Sequence, residues 1–182
     1  MFNREEIRRL IKEKNFITGY IDLDTQLTPN GFDLTVEKVF EFKEKGVLDF
    51  SNSRRVVPQG REILPYKEEG KDKLGWWDLK QGAYKIRTNE IVSLPNNLVA
   101  IGFSRTSLLR MGAFVVNGVW DASFVGKSEF LLIVAAPQGI RIEEKARLVQ
   151  LVFFPIKETK GYTGIYQFYG MLNQDCKGIE NY

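Results

Sequence analysis

The sequence predicts an all-β fold, a sandwich or barrel fronted by one short helix. Two observations carry that prediction. From Ile17 onward the chain breaks into short runs rich in β-branched and aromatic residues, punctuated by Gly, Pro and Asn, with no long helical pattern between them. The composition, 43% hydrophobic and 13% aromatic over 182 residues, suits a single folded domain with a sizeable core.

The elements follow in order. Asn3 is a helix cap with Glu6 three residues on, and Ile7, Leu10 and Ile11 form one apolar stripe; Phe2 is placed to staple onto Ile7. This helix reads as packing. Strands are expected at Asp33–Phe42, Ala83–Arg87, Ile91–Ser93, Val99–Ser104, Ala113–Val116, Glu129–Ala135, Leu148–Pro155 and Tyr162–Phe168. The polar stretch Asp49–Gly75, with a charged run over Lys67–Lys73, reads as a long surface excursion. Residues 1–170 are expected to form the domain and 171–182 a C-terminal tail, where Cys176 reads as a bystander.

Composition excludes several chemistries. There is no histidine and one cysteine, so neither a Ser-His-Asp relay nor a His- or Cys-clustered zinc site can be built, and no internal disulfide can form. A lone cysteine fits a reducing, cytoplasmic setting. The net charge of +3 is too small, and too scattered, for an obligate nucleic-acid binder. No apolar run reaches the ~20 residues of a membrane span, and the first residues carry charge where a signal peptide would be apolar. Any catalysis is therefore left to carboxylates, cations, hydroxyls and backbone amides, with or without a hard metal such as magnesium.

Two stretches concentrate that chemistry. In Ser104–Gly112, Arg105, Thr106, Ser107 and Arg110 follow an apolar strand. Arginine forks and hydroxyls suit phosphate oxygens, and the same residues also suit an exposed, capped helical turn. In Asn117–Gly126, Asp121 lies between glycines and among aromatics. It reads either as a partly buried general base or as an Asx-turn residue bonded to its own backbone. Gly126-Lys127-Ser128 imitates the end of a P-loop, but Asp121 occupies the first glycine position and a strand follows. Gln150 places an amide within an apolar strand, where it needs a partner.

Taken in order, these segments resemble the motif series of the trimeric dUTPase and dCTP deaminase superfamily. Gln26–Leu34 looks like the first motif in its deaminase-type form. Arg105–Gly112 is similar to the second, with Thr106 in place of a serine. Gly118–Gly126 resembles the third, with Trp120 in place of a smaller apolar residue and Phe124 where tyrosine is usual. Arg147–Leu151 matches the fourth, and Tyr162–Gln167 a deaminase-like fifth. The likeness runs from about Glu5 to Gln167.

The resemblance implies a distorted jelly roll of the β-clip type, assembled as a homotrimer with shared active sites. It implies magnesium chelated by substrate phosphates and no metal held directly by protein. The deaminase branch places a glutamate about ten residues after the third-motif aspartate; here that position is Leu131, and the nearest acid is Glu129. The expected activity is therefore hydrolysis of dUTP to dUMP and pyrophosphate, with deamination of dCTP, alone or combined, as the alternative. A nucleotide-binding regulator without turnover stands as a reading of another class. In the hydrolase, Asp121 would activate water. Arg105, Thr106, Ser107, Arg110 and Gln150 would hold phosphates, and Asn117, Gly118 and Trp120 would read uracil. Phe124 would pack under the deoxyribose, and Tyr162 and Gln167 would close over the phosphates. Asp33 is expected to fix a turn or an arginine.

Overall fold

A computed structural model describes residues 1–171; Cys176 and the rest of the segment 172–182 lie outside the described residues. Helix α1 (Arg4–Lys14) starts as its sequence dictates. The Asn3 side chain accepts from the Glu5 and Glu6 amides at 3.0 Å, and the Glu6 carboxylate accepts the Asn3 N–H at 2.8 Å, a complete capping box. The helix ends at Asn15 in the left-handed region and buries Ile7 and Ile11. There follow β1 (Ile17–Thr18), a one-turn helix α2 (Leu23–Gln26), β2 (Leu27–Thr28), β3 (Gly31–Glu41), β4 (Arg61–Ile63), β5 (Trp76–Leu79), β6 (Gly82–Ser93) and β7 (Leu98–Ser104). A short helix α3 (Thr106–Arg110) leads to β8 (Ala113–Val116), β9 (Val125–Val134), β10 (Ile140–Glu143) and β11 (Arg147–Pro155).

The architecture is a mostly β, nearly closed barrel. The strands run β7-β11-β3-β6-β9-β8, each pair antiparallel, with β1 on β6 and β2 and β4 on β3. Ser104 ties the two ends together: its hydroxyl accepts the Val115 N–H at 2.9 Å. Ala100 and Trp120 add a reciprocal backbone pair at 3.0 Å. Inward-facing Phe32, Leu34, Val36, Ile86, Leu132, Leu151 and Phe153 fill the core, and α1 covers one side of it. Burial alternates along β9, where Ser128, Phe130, Leu132 and Val134 face inward and Lys127, Glu129 and Leu131 face outward.

Several expectations shift. Ala83–Arg87 and Ile91–Ser93 belong to one strand whose register slips between them, because buried Thr88 and Glu90 make side-chain bonds in place of a regular ladder. The run Tyr162–Phe168 is not a strand: it is irregular through Thr163 and bends and turns from Gly164 onward, with Phe168 at φ +61°. The excursion Asp49–Gly75 contains β4 and ends in a bridge between Tyr66 and Trp76. The short β1, β2, β4, β5 and β10 escape a pattern search because two to four residues show no period. Among the described residues, no helix is long and apolar enough to cross a membrane.

Candidate active site

The connection between β8 and β9 builds the centre of the site. Trp120 is buried, and its indole N–H donates to Ser128 Oγ at 2.7 Å, which fixes the ring as a floor. The following turn is closed by backbone: the Phe124 N–H donates to the Asp121 carbonyl at 3.1 Å, with Ser123 at φ +63°. The Asp121 carboxylate is therefore not spent on an Asx-turn. It is exposed and makes no hydrogen bond or ion pair with any described residue.

Asp121 opens into a pocket of about 390 Å³, a volume suited to a small organic ligand. Asn117, Gly118, Trp120, Phe124 and Tyr162, all expected site residues, line it. Phe124 and Tyr162 meet edge to face with ring centres 5.8 Å apart. The opposite wall comes from the outward faces of β6 and β9, with Lys85, Glu129 and Leu131. Glu129 is ion-paired there with Lys85 at 3.1 Å and Arg87 at 2.9 Å. Glu129 and Leu131 share one face of β9, so both border the same space.

The phosphate-type residues lie elsewhere. None of Arg105, Thr106, Ser107, Arg110 and Gln150 lines that pocket. Arg105 precedes α3, and its Nε lies 2.8 Å from Oδ2 of the buried Asp33. Thr106, Ser107 and Arg110 are exposed. Gln150 finds its partner in Thr28, whose hydroxyl accepts from Nε2 at 2.6 Å. Gln167 borders a separate hollow of about 290 Å³. Both ends of its amide are used: Oε1 accepts the Val125 N–H at 3.0 Å, and Nε2 donates to the Ser123 carbonyl at 2.8 Å.

Sequence reasoning missed Lys85, Tyr166 and Tyr169, which line the pocket, and Arg87, which pairs with Glu129 behind its wall. A signal was present for the cations: Lys85 and Arg87 alternate on one strand face, the spacing that lets both reach one acid on a neighbour. It missed Glu90 as well. Glu90 is fully buried and accepts from Gln26 at 2.7 Å, the Thr35 N–H at 2.9 Å and the Thr35 hydroxyl at 2.6 Å. Burial pushes its carboxyl above the usual range although these donors pull the other way.

Magnesium can be tested against these groups. Among the described residues, no cluster of three or more His, Cys, Asp or Glu could hold a metal. Asp121 offers one unengaged carboxylate at the pocket, a donor set that suits a hard cation already carrying phosphate and water oxygens.

A family model described as dCTP deaminase-like matches residues 1–156. A protein of Archaeoglobus fulgidus named "Probable deoxyuridine 5'-triphosphate nucleotidohydrolase" is 42% identical over 164 residues, 90% of this chain and 93% of that one. The deoxyuridine 5'-triphosphate nucleotidohydrolase of Methanocaldococcus jannaschii is 35% identical over 155 residues, 85% of this chain and 94% of that one. In fold, the chain is similar to the 2'-deoxycytidine 5'-triphosphate deaminase of Agrobacterium tumefaciens, with a TM-score of 0.61 at 20% identity. That match covers 85% of this chain and 47% of the deaminase. With the barrel, the hairpin pocket and the matched residues in agreement, the chain belongs to the dCTP deaminase-like family.

Proposed function

We propose that this chain hydrolyses dUTP to dUMP and pyrophosphate. The observation that carries the reading is the pairing of an unengaged Asp121 with Leu131 in one pocket. The acid needed to orient water is present, and the position that a deaminase fills with glutamate carries a side chain unable to move a proton. The relatives named for dUTP hydrolysis support the same choice.

Asp121 orients a water and takes its proton as the water attacks the α-phosphorus in line. Trp120 and the Asn117–Gly118 backbone face the uracil edge, where an unmatched donor or acceptor of cytosine costs about 1–3 kcal/mol. Phe124 packs under the deoxyribose and leaves no room for a 2′-hydroxyl. Tyr162 closes the same side, and Gln167 holds its segment against the turn. Magnesium carried by the triphosphate would supply charge neutralisation, and Asp121, the pocket carboxylate without a partner among the described residues, would be the group to face it.

Arg105, Thr106, Ser107, Arg110 and Gln150 reach phosphates in a homotrimer, where one subunit brings them to the Asp121 pocket of the next. Their separation from that pocket within one chain supports this reading, as does an exposed apolar face beside them formed by Ile101, Phe103, Leu109, Met111, Phe114 and Val116. Mixing Asp121→Asn chains with Arg110→Ala chains tests it: restored activity in mixed trimers supports shared sites, and its absence refutes them.

The deciding assay incubates the protein with magnesium and either dUTP or dCTP and resolves the products. Release of dUMP and pyrophosphate from dUTP alone supports hydrolysis. Conversion of dCTP would instead favour the second reading, deamination, which the presence of Glu129 in the pocket wall motivates.

A further inference from the structure

Residues 161–170 form a strap along one side of the Asp121 pocket, and its far end has a built seat. The Phe168 N–H donates to the Val125 carbonyl at 2.7 Å, and the Lys127 N–H donates to the Tyr169 carbonyl at 2.9 Å. Gly126 makes that approach possible. Its φ is +155°, and a Cβ there would lie 3.0 Å from Tyr169 N and 3.1 Å from Tyr169 O.

The Tyr169 side chain is held by Arg87. The guanidinium carbon lies 5.3 Å from the Tyr169 ring centre and 5.3 Å from that of Phe40. Its Nη2 is 3.4 Å from the Tyr169 hydroxyl. Glu129 in turn takes the edge of the guanidinium, with Nε at 3.0 Å and Nη2 at 2.9 Å from Oε1, while Oε2 faces Lys85. A planar fork can bond a carboxylate along its edge and present its faces to rings at the same time; an ammonium cannot.

We infer that Glu129 and Arg87 are positioning residues that latch the strap over the pocket of their own subunit. Glu129 orients Arg87, Arg87 seats Tyr169, and the seated strap presents Tyr162 and Tyr166 to the substrate. This gives the acid in the pocket wall a role outside the bond-breaking step. Only the kinetic arm of the test rests on the hydrolase reading. A latch of this kind raises the fraction of chains closed before substrate arrives, so weakening it raises KM and leaves kcat, because bound substrate recloses the strap.

The test measures backbone hydrogen exchange in the full-length protein at the Lys127 and Phe168 amides, beside steady-state kinetics with dUTP. Arg87→Lys, Glu129→Gln and Tyr169→Ala should speed exchange and raise KM by about three- to five-fold, with kcat held within about two-fold. Tyr169→Phe keeps the ring over Arg87 and should retain most of the protection. Unchanged exchange in Arg87→Lys and Tyr169→Ala would overturn the latch. So would a Glu129→Gln variant whose kcat collapses while its strap stays protected, because Glu129 would then act in the chemistry. If the wild type releases no pyrophosphate, the hydrolase reading fails and the exchange rates alone decide the latch.

Discussion

Asp33 and Arg105 are joined by an ion pair of 2.8 Å, with the carboxylate 1% exposed and the guanidinium at the surface end of β7. Arg147 approaches the same oxygen at 3.3 Å. One buried acid therefore sets the direction of an arginine proposed to hold phosphate. Asp33→Asn should change stability by no more than about 1 kcal/mol, because burial already disfavours the carboxylate charge and both arginines remain partly exposed once it is gone. It should also raise KM for dUTP, since Arg105 loses its anchor. Denaturant unfolding and steady-state kinetics check the two effects separately.

Asp121 gives the opposite pattern. Its carboxylate is exposed and has no partner among the described residues, so Asp121→Asn should leave the melting temperature unchanged. Loss of the proposed general base should lower kcat by about 10²–10⁴-fold. A variant that binds a non-hydrolysable dUTP analogue normally yet turns over at the wild-type rate would remove Asp121 from the mechanism.

Leu131 predicts the product profile. With leucine on the pocket face and Glu129 occupied by Lys85 and Arg87, the wild type should leave dCTP unconverted at enzyme levels that exhaust dUTP. Chromatography of both reactions reads this directly.

Glu90 predicts how stability responds to pH. Burial raises its folded pKa, so above the ordinary carboxylate range the native state holds a proton that the unfolded chain has released. Stability should therefore fall as pH climbs from that range through the raised value. Asp33, also raised by burial against the pull of Arg105 and Arg147, acts in the same direction. Glu90→Gln should flatten the slope and cost about 1–3 kcal/mol, because an amide nitrogen would face the donors of Thr35 or Gln26. Calorimetric melting of both proteins across the acid range measures it.

By itself the sequence determined the features that depend on neighbours a few residues away. The capping box of Asn3 and Glu6, most of the longer strand runs and the exclusion of histidine and disulfide chemistry follow from local backbone preference or residue type. The grouping of Asn117, Trp120, Asp121 and Phe124 was legible for the same reason, since one hairpin carries them all. Only the tertiary structure decided which distant residues meet. Period-two alternation places Lys85, Arg87 and Glu129 on strand faces, but strand register alone sets Arg87 opposite Glu129. The same holds for Asp33 with Arg105, for Gln150 with Thr28, and for Tyr169 in the space left by Gly126. These contacts depend on how antiparallel strands slide and on where a chain end returns, and neither quantity is written in any local window of residues.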